Sequence, residues 1–303
     1  MGDAVFDKVT IFGVGLIGGS FALAYRNAHP AVRVTGVGRS SQSLERARAL
    51  GIIDRASTSV ADAVRDADLI LLAAPVAQTE AILASILPHL DERTVITDAG
   101  STKSDVVAAA RRALGGRSRQ FVPGHPIAGR ESNGPDAAIP DLYIGKKAVL
   151  TPLAENDPEQ VERVAAAWKH CGAIVHRLSP EDHDRIFAAV SHLPHLLAYA
   201  LVDDIARKPH AALLFQYAAS GFRDFTRIAG SSPEMWRDIT LANQAALLQE
   251  LDGYLERLQH LRTLLSAADG AGIEGVYANA QQARQAWIRA IETGEKQSKQ
   301  GGD

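Results

Sequence analysis

The fold of this chain is decided by the stretch VTIFGVGLIG, which occupies residues 9–18. A short β-branched run leads into three glycines at the spacing G-x-G-x-x-G, and a helical pattern follows them. In this context Gly13 permits a tight turn, Gly15 lets the backbone approach a pyrophosphate, and Gly18 lets the helix pack closely on the strand. The phosphates then meet free N–H groups at the helix N-terminus. The stretch predicts a dinucleotide site that comprises Gly13, Gly15, Leu16, Ile17 and Gly18.

The first half of the chain alternates short β-branched runs with amphipathic helical patterns. The predicted strands are Val9–Phe12, Val32–Val37, Leu69–Ala73, Val95–Thr97, Gln120–Pro123, Lys147–Leu150 and Ala173–Arg177. Alternation of this kind predicts βαβ units and an α/β domain with a mostly parallel sheet. We also assign Pro75, which follows the Leu69–Ala73 run, to the cofactor site.

The composition is that of an ordinary soluble globular protein. Of the 303 residues, 46% are hydrophobic and 22% are charged, and the length indicates two domains. The formal charge of −3 provides no basic surface for nucleic acid or for a membrane. One cysteine, Cys171, cannot form an internal disulfide, and no Cys/His cluster has zinc-ligand spacing. We expect a cytoplasmic protein that acts on a small molecule and uses no metal.

From Ser179 onward the pattern is helical. Ser179 and Ser232 each precede Pro-Glu, which combines a hydroxyl N-cap, proline at the first helical position and an acid in the first turn. The helix after Ser179 is apolar on two sides, with Ile186 and Val190 in one stripe, which predicts burial of both sides.

A heptad pattern follows later in the helical part. Its members alternate spacings of four and three, and they are Leu247, Leu251, Tyr254, Leu258, Leu261 and Leu265. Such a seam needs another helix against it, from a second subunit or from the same bundle. We divide the chain into a dinucleotide-binding domain at 1–178, an all-α substrate and dimerisation domain at 179–295, and a disordered tail at 296–303.

The end of the second strand indicates which dinucleotide binds. An acid about 20 residues after the glycines would accept a hydrogen bond from the ribose 2′-OH and repel a 2′-phosphate. This chain has Gly38-Arg39-Ser40 there and no acid. The Arg39 guanidinium and the Ser40 hydroxyl suit a 2′-phosphate, which favours NADP over NAD. Alternatively, Arg39 stacks on the adenine or points into water.

Two segments after later strands are candidates for the reactive end. Ser101 and Lys103 follow the Val95–Thr97 strand and are placed to meet substrate or nicotinamide, unless Ser101 caps a helix and Lys103 is solvated. His125 lies between glycine and proline, so it cannot sit inside a helix, and we expect it on a loop at the ligand edge. A histidine there can take a proton near neutral pH.

The helical part contributes histidines and arginines. His192 and His195 share one helix face without a third metal ligand, and the alternative to a site role is a pair of satisfied core histidines. Arg223 and Arg227 lie four residues apart, and a guanidinium can clamp a carboxylate with two hydrogen bonds. The alternative is a structural salt bridge to a neighbouring acid.

Together these motifs resemble a known family. The glycine turn, Asp98-x-Gly-Ser-x-Lys103, Gly124-His-Pro-Ile-Ala-Gly129, Ser191-His-Leu-Pro-His195 and the segment from Gly221 to Asp238 occur in the order found in prephenate/arogenate (cyclohexadienyl) dehydrogenases of tyrosine biosynthesis. The resemblance extends to about residue 290. It implies a Rossmann-type α/β domain followed by an all-α dimerisation domain, and a homodimer.

The resemblance also implies a reaction and roles for residues. Hydride leaves the hydroxyl-bearing carbon of a cyclohexadienol for NADP or NAD, the hydroxyl proton passes to a base, and CO2 departs. His125 matches the catalytic histidine and Ser101 matches the serine beside the hydroxyl and the nicotinamide. The residues that match substrate-binding positions are Arg227, His195, Glu131 and Trp236. A Glu131 carboxylate could pair with the ammonium of arogenate, which prephenate lacks, or it could equally hold Arg130 or another pocket group.

Two other functions also fit the sequence. One is a Rossmann dehydrogenase that acts on β-hydroxy acids or imines, although the motif at 124–129 argues against it. The other is an NADP-sensing module without turnover.

Overall fold

The computed structural model describes residues 6–130 and 132–300. The chain divides into two compact units between Leu247 and Leu248. The strands of the described residues are β1 (Lys8–Phe12), β2 (Arg33–Val37), β3 (Arg55–Ser57), β4 (Leu69–Leu72), β5 (Val95–Asp98), β6 (Phe121–Val122), β7 (Gly124–Pro126), β8 (Lys147–Leu150) and β9 (Ile174–Arg177). The α-helices are α1 (Leu16–Ala28), α2 (Ser41–Ala49), α3 (Val60–Val64), α4 (Thr79–Ile86), α5 (Ser104–Leu114), α6 (Pro158–His170), α7 (Pro180–Phe187), α8 (Leu193–Ala206), α9 (Ala211–Gln216), α10 (Ser220–Thr226), α11 (Pro233–Ala242), α12 (Gln244–Ser266) and α13 (Gly270–Gln300).

Six parallel strands form the main sheet in the order β3-β2-β1-β4-β5-β6. All four residues of β4 are buried, because hydrophobic clusters cover both faces of the sheet. The strand order reverses direction between β1 and β4, where the glycine turn follows β1. Crevices at such switch points bind ligands. The predicted fold class, a Rossmann-type sheet followed by helices, is confirmed.

A second, three-stranded sheet departs from the predicted pattern. β7 pairs antiparallel with β8, and β8 pairs parallel with β9. Only Pro123, which has no N–H to donate, separates β6 from β7. The N–H of Gly124 then donates to the Asp98 carboxylate at 2.9 Å rather than to a strand. His125 consequently lies in a short strand, and the prediction of a loop at this position is wrong.

The helical part of the first unit begins where the strands end. A five-residue π-helical segment, Ala188–His192, separates α7 from α8. Pro194, near the start of α8, cannot donate the backbone hydrogen bond that a continuous α-helix requires, which explains the interruption. Ile186 is 40% exposed and Val190 is 66% exposed, so within one chain the prediction of burial on both sides is wrong.

The region Pro180–Ala206 is long and apolar enough, by length and composition alone, to cross a membrane. It is interrupted by the π-helical segment, and it carries buried His183, Asp184 and His192 with hydrogen-bond partners from other elements. These hydrogen bonds tie the region to other elements of the first unit.

The second unit consists of helices within the described residues. Its part of α12 carries the later positions of the heptad seam, of which Leu258 is 44% exposed and Leu265 is 72% exposed. On α13, Tyr277 and Trp287 are exposed as well. The predicted disordered tail is helical as far as Gln300, and residues 301–303 lie outside the described residues.

Candidate functional site

The glycine turn has the geometry that its sequence predicts. Gly13 has a φ of +95°, and a Cβ there would lie 2.5 Å from the carbonyl oxygen of Ala73. A Cβ on Gly18 would lie 2.2 Å from the carbonyl oxygen of Gly13, so helix α1 packs against the turn without space for a side chain. A Cβ on Gly15 would meet nothing within 4 Å. The open face at Gly15 and the free N–H groups of the first turn of α1 fit a dinucleotide pyrophosphate.

The residues predicted to select the cofactor lie at the end of β2. The Ser40 hydroxyl caps helix α2 by accepting a hydrogen bond from the Ser43 N–H at 3.2 Å. Arg39 is exposed, and no acidic side chain of the described residues forms an ion pair with it. An exposed guanidinium beside a helix N-terminus is available to an anion.

A cleft of about 820 Å³ lies between the carboxyl ends of the strands and the helical part of the first unit. This volume suits the reactive ends of two small molecules. The predicted site residues that line the cleft are Gly15, Leu16, Ile17, Pro75, Ser101, His125, His195, Arg227 and Trp236. Gly13 and Gly18 form the turn behind it, and Arg39 and Ser40 are not part of its lining. Glu131 lies outside the described residues.

Lys103 does not reach the cleft, contrary to prediction. Its side chain is fully buried and forms an ion pair with Asp98, which ends strand β5. The other interactions of the Asp98 carboxylate are with the N–H groups of Gly100, at 2.8 Å, and Gly124, at 2.9 Å. One carboxylate therefore ties together the turn that carries Ser101 and the strand that carries His125. Lys103 is a structural residue of the site.

His125 belongs to a chain of three buried or half-buried groups. Its Nδ1 lies 2.8 Å from Nε2 of His183, and Nδ1 of His183 lies 2.8 Å from Oδ1 of Asp184. His183 is fully buried, and Phe187 packs on both imidazole rings at centroid distances of 4.5 and 5.0 Å. The sequence analysis did not identify His183 or Asp184. The signal available was an ionisable His-Asp pair in the capped first turns of α7, ahead of a mostly apolar stretch.

The surroundings of the hydrogen-bonded groups His125, His183 and Asp184 favour a neutral His125. Burial lowers the pKa of His125 well below its ordinary value, and nearby His183 and Lys103 lower it further. Burial would raise the pKa of Asp184, but hydrogen bonds from His183 and from the Ser104 and Lys103 backbone outweigh that effect and lower it. A neutral imidazole backed by an ionised carboxylate is suited to accept a proton.

His192 is a satisfied core histidine rather than a cleft residue. Its Nδ1 lies 3.0 Å from Nδ2 of Asn243, which also donates to the carbonyl oxygen of Asp184 at 2.8 Å. Burial lowers the pKa of His192 to about 4, against smaller opposing effects of the Asp184 charge and of a hydrogen bond to the Ser101 backbone. His192 thus supports the Ser101 turn from behind. Among the described residues, no group of three or more side chains could hold a metal ion.

His195 and Arg227 line the cleft from the helical side. Nδ1 of His195 donates to the carbonyl oxygen of Ser191 at 2.8 Å, and its ring stacks on the indole of Trp236. Burial and the proximity of Arg227 lower the pKa of His195. Arg223 pairs with Asp224 at 3.9 Å at the exposed surface, outside the cleft lining. Of the two arginines, Arg227 is therefore the one that lines the cleft.

Two family models of prephenate dehydrogenase together match most of this chain. The family model described as the nucleotide-binding domain of prephenate dehydrogenase matches residues 21–177, and the one described as its dimerization domain matches residues 179–276. The chain is 37% identical over 282 residues to the cyclohexadienyl dehydrogenase of Zymomonas mobilis, covering 92% of this chain and 96% of that protein.

Two solved structures are similar over nearly the whole chain. The prephenate dehydrogenase of Aquifex aeolicus, solved in complex with hydroxyphenyl propionate and NAD+, superposes with a TM-score of 0.84 at 36% identity, covering 95% of this chain and 99% of that one. The arogenate dehydrogenase of Synechocystis has a TM-score of 0.77 at 30% identity, covering 92% and 99%.

Proposed function

Because this chain belongs to the prephenate dehydrogenase family, we propose that it catalyses the oxidative decarboxylation of prephenate, arogenate or both. The products are 4-hydroxyphenylpyruvate from prephenate and tyrosine from arogenate, which places the reaction in tyrosine biosynthesis. The observation that carries this proposal is the single cleft that brings together the open glycine turn, His125 and Arg227. We propose both substrates because one relative is named cyclohexadienyl dehydrogenase and the two similar solved structures are named for prephenate and for arogenate.

Each residue that lines the cleft has a separate role in the proposed reaction. A dinucleotide held by its pyrophosphate at the glycine turn would supply the nicotinamide that accepts the hydride. His125, whose Nδ1 is bound to His183, has Nε2 left to accept the hydroxyl proton of the substrate. Ser101 holds the hydroxyl end beside it, and Arg227 binds a carboxylate with its guanidinium. Neutral His195, fixed by Ser191 and Trp236, presents Nε2 to the side chain of the substrate.

NADP is the cofactor that we propose over NAD. The chain is a nucleotide-binding dehydrogenase by family, and the Aquifex aeolicus neighbour holds NAD+. The support for NADP in this chain is local, since the end of β2 offers exposed Arg39 and the capped N-terminus of α2 with no acid between them.

A homodimer is the proposed assembly. The family model that matches residues 179–276 is named for dimerization, and exposed leucines of the second unit, such as Leu258 and Leu265, provide apolar surface for a second copy. The two family models also support the proposed domain boundary at 178/179. We place the protein in the cytoplasm, in keeping with its single buried, unpaired cysteine.

One set of assays tests the proposed function. The purified chain is mixed with prephenate or arogenate and with NADP or NAD, and absorbance of the reduced nicotinamide is followed over time. We expect turnover with at least one of the two substrates and a higher kcat/KM with NADP. Absence of reduced nicotinamide in all four combinations would refute the proposed function, and a higher kcat/KM with NAD would refute the cofactor proposal alone.

A further inference from the structure

The contacts of His183 determine which of its nitrogens carries a proton. An ionised carboxylate can only accept, so Asp184 requires Nδ1 of His183 to donate across their 2.8 Å contact. In neutral His183 the other nitrogen, Nε2, is then an acceptor. That nitrogen lies 2.8 Å from Nδ1 of His125, so His125 must be the donor of the hydrogen bond between them.

Asp184 is itself held in its ionised form and in one orientation. Its Oδ1 accepts from the backbone N–H of Lys103 and its Oδ2 accepts from that of Ser104, both at 2.8 Å. These two N–H groups belong to the N-terminus of helix α5, whose dipole also favours a negative charge. Rotation of the carboxylate would break at least one of these bonds, so its position is fixed by backbone rather than by mobile side chains.

Lys103, Asp98 and His192 are the other titratable groups that lie near His125 and His183. Lys103 approaches both His125 and His183, and its charge is paired with Asp98. His192 faces His125 from the π-helical segment and is held neutral by burial and by its contact with Asn243. None of these groups offers Nδ1 of His125 an alternative acceptor within the described residues.

We propose that His183 and Asp184 act as positioning residues that keep the proton of neutral His125 on Nδ1 and leave its Nε2 as the proton acceptor in the cleft. When Nε2 takes a proton, the resulting imidazolium remains hydrogen-bonded to His183, and the ionised Asp184 behind it stabilises the charge. Asp184 stays ionised throughout. The assignment deepens the proposed function, on which its kinetic consequences rest.

The tautomer can be measured without any turnover. Selective ¹⁵N labelling of histidine distinguishes a ring nitrogen that carries a proton from one that does not, and the His125→Asn variant identifies the signals of His125. We expect a protonated Nδ1 and an unprotonated Nε2 in the wild-type protein above pH 7. The opposite tautomer, or a mixture of the two, would overturn the proposal even in a protein that turns over substrate normally.

Two substitutions at position 183 separate positioning from packing. His183→Gln can place its amide oxygen where Nε2 stood and still accept from His125, whereas the shorter His183→Asn cannot. We expect His183→Asn to lower kcat by about 100-fold and His183→Gln to retain about tenfold more activity than His183→Asn, with KM nearly unchanged in both. Dinucleotide affinity and melting temperature of each variant are measured in parallel.

Equal losses in the two variants, or wild-type kcat in His183→Asn, would assign His183 a packing role and overturn the proposal. If His183→Asn does not fold, the comparison of His183→Gln with wild type and the NMR measurement decide the matter. Failure of the proposed function has a different signature, because the wild-type protein itself would then form no reduced nicotinamide.

Discussion

The imidazole of His195 lies flat on the indole of Trp236, with ring centroids 3.5 Å apart and planes 18° apart. The hydrogen bond from Nδ1 of His195 to the Ser191 carbonyl holds the ring in this orientation. Trp236 is half-buried, and its Nε1 has no hydrogen-bond partner among the described residues. The stack therefore holds His195 in one orientation at the wall of the cleft.

Removing the indole should weaken substrate binding more than chemistry. We expect Trp236→Ala to raise KM by about 3- to 10-fold, since an aromatic pair contributes about 0.5–1.5 kcal/mol beyond its buried area. Trp236→Phe keeps a ring under His195 and serves as the matched control, with KM close to that of the wild type. Steady-state kinetics at saturating dinucleotide measure both values. Similar KM values for the two variants would show that stacking does not position His195.

His125→Asn should remove the proton acceptor and leave the dinucleotide site intact. We expect kcat to fall by roughly 10²- to 10⁴-fold, the usual contribution of a general base. The dissociation constant of the dinucleotide, measured by fluorescence titration, should stay at its wild-type value. The control is His176→Asn, which alters an exposed histidine on β9. Retention of wild-type kcat in His125→Asn would remove this residue from its assigned role.

Arg39→Ala should discriminate between the two dinucleotides. Charge-assisted hydrogen bonds contribute about 1.5–3 kcal/mol, so we expect NADP affinity to fall about 10- to 100-fold while NAD affinity changes little. Arg33→Ala, at the other end of β2 and likewise exposed, is the matched control and should affect neither. Isothermal titration with each dinucleotide gives the ratio. A parallel loss of NAD affinity would indicate that Arg39 contacts the adenine instead of a 2′-phosphate.

Stability should decrease in mildly acidic solution because buried histidines are neutral in the folded protein. The pKa of His192 falls from an ordinary 6.5 to about 4 on folding, so the unfolded chain takes up the proton first. This contribution to stability is complete above pH 6.5 and is lost progressively as the pH falls toward 4. We expect the free energy of unfolding in urea to decrease over that interval.

A substitution tests whether His192 is responsible for part of this decrease. His192→Gln removes the titration and can still hydrogen-bond the Ser101 carbonyl, so the pH dependence between 6.5 and 4 should become shallower. His176→Asn, at an exposed site, should leave the dependence as it is in the wild type. An unchanged slope in His192→Gln would contradict the assignment of His192 as a buried neutral group.

The glycine turn and the strand-to-helix change could be predicted because local sequence determines them. Gly13 and Gly18 occupy positions where no side chain fits, and Ser179 caps α7 as its sequence indicates. The pairing of β7 with β8 could not be predicted, since it depends on Pro123 and on the side chain of Asp98, which lies 26 residues before Gly124. Such a contact leaves no periodic signal in either segment.

The hydrogen bonds that join His125, His183 and Asp184 were also not predicted, because they connect distant parts of the sequence. His125 and His183 are 58 residues apart, and neither local sequence indicates the other. Lys103 was misassigned because a lysine after a strand is usually solvated, whereas here Asp98 neutralises it in the interior. Glu131, implied by family resemblance alone, lies outside the described residues, and its role stays a prediction.

The π-helical segment at 188–192 has a consequence for how this helix can vary. One extra residue in a turn changes the angular phase of everything after it by about 100°. Ahead of it, His183 faces the interior behind His125, and beyond it, His195 faces the open cleft beside Trp236. Removing a single residue from the segment would turn His195 away from the cleft while His183 stayed in place. The spacing within this short stretch thus constrains the chain as strictly as the identity of the histidines on either side.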